Sequence, residues 1–94
     1  MENILMYKNK PLVREGNFLF YGNPEDKLIL FMNVLDSKEQ NGLKVATRVL
    51  VQIQKTDENV SYMEKIVKQC EKPTFYDAFE IGCIWLEREL AKLK

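Results

Sequence analysis

Apolar and polar positions change rhythm once along this chain. Up to about residue 60 they fall in short runs broken by turn residues, and after that they recur every three to four positions. Ile4–Tyr7 reads as a strand, followed by a Lys8-Asn9-Lys10-Pro11 turn. A short run at Leu12–Arg14 closes at Glu15-Gly16-Asn17, where glycine supplies the positive φ that a tight turn needs. Phe18–Tyr21 follows and ends at Gly22-Asn23-Pro24. Strands separated by two to five turn residues are the mark of antiparallel hairpins. Lys27–Leu35 is apolar on both alternating sets, with Leu28, Leu30, Met32 and Val34 on one and Ile29, Phe31 and Leu35 on the other. Such a run predicts a central strand with material packed on each face.

Ser37–Gly42 reads as a polar loop. Leu43–Lys55 then shows the cleanest two-residue period, Val45, Thr47, Val49, Val51 and Ile53 alternating with Ala46, Arg48, Leu50, Gln52 and Gln54. Extended residues advance about 3.3 Å each, so this strand is expected to outrun its neighbours and leave part of an edge open. Beyond Thr56-Asp57-Glu58-Asn59 the pattern turns helical. Ser61 and Glu64 have the spacing of a capping box, and Met63, Ile66, Val67 and Cys70 fall on one stripe. Pro73 ends that helix, because the residue before a proline is pushed out of the α region. Thr74 and Asp77 start a second one, running from Phe75 to about Leu93 with Phe75, Phe79, Gly82, Leu86, Leu90 and Leu93 along one side. Strands first and helices last predict one α+β domain over residues 1–94: an antiparallel meander sheet of about five strands followed by two C-terminal helices packed on one face.

Composition removes several chemistries. The 94 residues carry no histidine, hence neither the commonest metal ligand nor the usual neutral-pH general base. Cys70 and Cys83 sit on apolar positions of the two expected helices and read as small buried hydrophobes. No CxxC pair is present, and no Cys/His set completes a zinc site. Asp77, Glu80 and Glu87 fall opposite the apolar stripe of the second helix, a solvated face rather than a general acid/base pair. Four scattered glycines form no phosphate-binding loop. Gly82 is unusual in lying inside a helix, which predicts close approach of the sheet, with a ligand pocket as the other reading. No catalytic residue, metal or cofactor is therefore expected. The N-terminal stretch, acidic at Glu2, does not read as a signal peptide, and no apolar run is long enough to span a bilayer. A cytoplasmic location is expected.

Two binding readings remain. Tyr7, Phe18, Phe20 and Tyr21 near Lys8, Lys10 and Arg14 could stack single-stranded nucleic acid. Alternation turns half of those rings inward, Glu15, Glu25 and Asp26 cancel the charge, and the chain's formal net charge is zero. The favoured reading is a non-enzymatic protein-interaction module, with self-association as a homodimer its leading form. Phe31 and Leu50 on the second face of the sheet, and Ile84 and Trp85 on the second helix, are the expected contact residues, since the apolar positions exceed what a one-sided helix and sheet need.

The segments Tyr7–Arg14, Tyr21-Gly22 and Ile81-Gly82-Cys83-Ile84-Trp85-Leu86-Glu87-Arg88 resemble small, uncharacterised proteins of Gram-positive anaerobes. The likeness covers most of the chain and is one of whole-chain pattern without a catalytic motif. It implies a native domain rather than a fragment, and it implies no activity.

Overall fold

A computed structural model describes residues 4–93, so Glu2 lies outside the described residues. Its elements run β1 (Ile4–Tyr7), β2 (Lys10–Glu15), β3 (Phe18–Tyr21), β4 (Leu28–Gln40), β5 (Leu43–Lys55), α1 (Tyr62–Lys65), β6 (Ile66–Lys72) and α2 (Phe75–Lys92). All six strands form one antiparallel sheet in chain order, and α2 packs across one face of it. The architecture is the expected α+β meander with one more strand and one helix fewer of any length.

The difference lies at residues 66–72. Ser61 caps α1 as its sequence suggests, accepting from the Glu64 N–H at 3.3 Å and donating to Glu64 Oε1 at 3.0 Å. The helix stops after a single turn, however, and Ile66–Lys72 pairs with Val49–Gln54 of β5. A seven-residue stretch with Ile66 and Val67 at its head fits either period. The bare edge of β5 offers backbone partners that a short helix would leave unused. Cys70 therefore sits on a strand rather than a helix, opposite Val51, and Met63 is exposed.

Ser37–Gln40 is likewise strand, not loop. Gln40 pairs with Leu43 across Asn41-Gly42, both at positive φ (53° and 80°), the geometry of a two-residue hairpin turn. β4 thereby matches β5 at 13 residues each, which corrects the expectation that β5 outruns every neighbour. Both strands instead outrun the rest of the sheet. β3 reaches only Asn33, with one further bond from the Val34 N–H to the Asn17 carbonyl, and β6 reaches only Val49. Leu35–Gln40 and Leu43–Arg48 thus project beyond the other strands as a two-stranded arm. The ladder is irregular at Leu35–Asp36, where Asp36 Oδ1 accepts the Ser37 N–H at 2.9 Å, a local bond that competes with strand pairing.

The core lies between α2 and the sheet: Leu19, Tyr21, Leu28, Leu30, Met32, Val49, Val51 and Ile53 from the strands, Ala78 and Leu86 from the helix. Thr74 caps α2 by accepting the Asp77 N–H at 3.1 Å. Phe75, Phe79 and Leu90 of the expected stripe pack at the margin of this core, while Leu93 is exposed. Val45, which shares the period of Val49 and Val51, stays exposed because it lies on the arm. Gly82 is buried directly over Leu30: a Cβ at this position would lie 2.6 Å from Leu30 Cδ1 and 2.8 Å from Cδ2. The space considered for a ligand is filled by the leucine, and the close approach is to a side chain of the sheet rather than to its backbone.

Candidate interaction surface

Strand alternation sorts the aromatic residues into two layers. Tyr21, 4% exposed, turns towards α2, where Tyr7, Tyr21 and Phe79 meet edge to face with ring centroids 5.3–5.8 Å apart. The Tyr21 hydroxyl donates to the Tyr7 carbonyl at 2.8 Å, and burial, with Cys83, Tyr7 and Glu87 nearby, pushes its phenol up to about 12. Phe18, Phe20 and Phe31 turn the other way. Phe31 stacks on Phe18 (5.8 Å, 28°) and tilts against Phe20 (5.1 Å, 47°). The four-ring platform read from the sequence is thus divided between the two faces.

The cations divide between the two layers. Arg14 lies over the ring of Phe75 on α2 (5.4 Å), and Lys8 lies over Tyr7 (5.5 Å). On the phenylalanine face, Arg48 is held by Glu71 at 3.1 Å.

Among the described residues no helix crosses this second face. Pairing arranges it in three rows across the strands. The first is Glu15, Phe18, Asn33 and Leu50; the second is Val13, Phe20, Phe31 and Gln52; the third is Pro11, Gly22, Ile29 and Gln54. Gln52 is 2% exposed with both polar atoms of its amide partnered, donating to Gln69 Oε1 at 3.0 Å and accepting from Gln54 Nε2 at 2.7 Å. This amide ladder walls one side of an apolar strip. At Gly22 the strip dips into a hollow of about 430 Å³, lined by Pro11, Val13, Phe20 and Ile29 and rimmed by Lys55, Glu58 and Lys65.

Of the four residues expected to make contact, Phe31 and Leu50 stand one diagonal step apart on this face. Ile84 and Trp85 belong to the opposite layer. Trp85 is half-buried beneath Lys68, whose Nζ lies 4.9 Å from the ring centroid, and Ile84 borders a shallow groove with Lys72 and Pro73. Phe18, Phe20, Val13 and Ile29 complete the strip. Their signal in the sequence was strand parity, which becomes decisive only once it is known which face the helix covers.

Cys83 is half-buried and its thiol is pushed up to about 11, chiefly by burial; burial also raises Cys70. Both thiols are protonated at neutral pH, the opposite of an activated nucleophile. Asp77, Glu80 and Glu87 are exposed on α2. No three His, Cys, Asp or Glu side chains gather as a metal site among the described residues, and no described helix is long and apolar enough to cross a membrane.

Comparison of the chain with protein-family models, with curated proteins and with solved structures finds no match.

Proposed function

We propose that this chain is a non-enzymatic contact module that works by associating with a second copy of itself through the uncovered face of the sheet. The observation that carries this reading is the apolar strip Val13–Phe18–Phe20–Ile29–Phe31–Leu50, half-buried except for the exposed Phe18 and crossed by no helix among the described residues, while the core side chains of the other face lie under α2. Apolar strips of this kind on an otherwise polar surface mark contact sites. Zero formal charge removes any long-range repulsion between copies. A polyanion is the poorer fit. Its recognition needs a net basic surface beside the stacking rings, and here the formal charge is zero, Arg48 is engaged by Glu71, Arg14 lies on the other face, and Lys55 and Lys65 share the rim of the hollow with Glu58.

Sedimentation equilibrium across micromolar concentrations tests the reading. The wild type should dimerise, Leu50→Glu should be monomeric, and Ile84→Glu, on the opposite layer, should behave as wild type. A wild-type monomer at every concentration refutes self-association. Salt-sensitive binding of labelled single-stranded oligonucleotides, lost in Phe31→Ala, would replace it with the nucleic-acid reading.

A further inference from the structure

We propose that the two copies pack face to face about a two-fold axis crossing the strands at the Phe20–Phe31 row, so that Phe18 of each copy fills the hollow at Gly22 of the other. This rests on the self-association reading and adds its geometry.

The complementary features lie on β3. Phe18, Phe20 and Gly22 follow one another on the same face of this strand and its continuation, two residues apart. Phe18 is 46% exposed, one side of its ring against Phe31 and the rest unpartnered. Gly22 presents no side chain. Its φ of +134° disfavours one, and a Cβ there would lie 3.3 Å from Ile29 Cγ2 and 3.5 Å from Leu86 Cδ2 of α2. A knob and a hole therefore stand at equal distances on either side of Phe20, each about 7 Å away at ~3.3 Å per residue.

A two-fold axis through the Phe20 row, lying between the sheets and perpendicular to the strands, exchanges the first and third rows. Phe18 lands over the hollow, Asn33 over Ile29 and Leu50 over Gln54. The middle row, Val13, Phe20 and Phe31, meets its own copy on the axis, and an apolar centre with polar margins is the ordinary anatomy of a specific interface.

The area suffices. Five strands about 4.8 Å apart and about six residues long give a face of roughly 20 by 20 Å. Two such faces supply about 800 Å² of flat footprint. Side-chain relief brings this to the roughly 1,000 Å² that separates specific contacts from incidental ones. The twist of each sheet sets aligned packing near −30°, which keeps each strand close to its counterpart. The arm lies outside the three rows.

Two measurements test the arrangement. Phe18→Ala, at a position 46% exposed, should leave the circular dichroism of the folded chain unchanged and should weaken dimerisation at least about tenfold, as a buried aromatic anchor does. Asn33→Cys and Ile29→Cys proteins, each in a Cys70→Ser/Cys83→Ser background, are then mixed and treated with a short bismaleimide, whose reach suits sheets about 10 Å apart. Mixed cross-links should exceed both self-cross-links. A dimer that forms with undiminished affinity in Phe18→Ala, or whose self-cross-links form as readily as the mixed ones, overturns this arrangement and leaves self-association standing. A wild-type monomer overturns both.

Discussion

Replacing Gly82 with alanine gives a sharp test of how α2 meets the sheet, because two effects of similar size oppose each other. Glycine inside a helix costs about 1 kcal/mol relative to alanine, so helix propensity alone makes Gly82→Ala stabilising by that amount. The structure says otherwise. The new methyl would lie 2.6 and 2.8 Å from the two terminal carbons of Leu30, which is itself fully buried among Met32, Ile53 and Leu86. Leu30 can yield only by leaving its rotamer or by lifting the helix, and overpacking of this kind costs about 1–3 kcal/mol. The net expectation is a loss of about 0–2 kcal/mol. Leu30→Ala alone should cost about 2–5 kcal/mol by opening a cavity. In that background the obstruction is gone, and Gly82→Ala should now stabilise by about 1 kcal/mol, a reversal of sign. Urea unfolding followed by far-ultraviolet circular dichroism and Trp85 fluorescence measures all four corners of the cycle, with Leu30→Val as the partner if Leu30→Ala leaves too little folded protein. Equal stabilisation of about 1 kcal/mol by Gly82→Ala in both backgrounds would refute the close contact and, with it, the position of α2.

Two further expectations follow from the same core. Leu86→Ala, at a fully buried position over the sheet, should lower the unfolding free energy by about 2–5 kcal/mol; a loss below about 1 kcal/mol in urea titration would mean that α2 presents another face. Stability should also fall in alkali. Tyr21 and Cys83 titrate near 12 and 11 in the folded chain, above their ordinary values of 10.0 and 9.0. The stabilisation from keeping them protonated is complete below about pH 9. It is lost as pH rises through 11 to 12, because the unfolded chain gives up these protons first. Urea midpoints between pH 8 and 11 should decline, and Tyr21→Phe with Cys83→Ala should flatten that decline. A slope unchanged in the double variant would assign it to other groups.

Much of the architecture could be read from local pattern. Strand alternation, the turns at Lys8-Asn9 and Gly16-Asn17, the caps at Ser61 and Thr74, and the buried side of α2 at Gly82 and Leu86 all follow from interactions within a few residues. Asn41-Gly42 was just as local, an Asn-Gly hairpin signal submerged in a polar run, and it accounts for Ser37–Gln40 being strand.

Ile66–Lys72 was different. Its seven residues support a helical stripe or an alternating strand, and the choice fell to the unpaired edge of β5, 12 or more residues away along the chain. The contact surface was half legible in the same way. Parity alone separates Phe18, Phe20 and Phe31 from Tyr7 and Tyr21, but parity is silent on which set the helix will cover. That depended on α2 docking over Leu30 and Val51, a long-range choice among apolar faces that the sequence left nearly equal. The sequence by itself determined the periods and the punctuation, because these rest on backbone sterics and nearest-neighbour hydrogen bonds. Only the tertiary structure decided which apolar face was buried and which was left bare, because burial is a property of what packs above a residue.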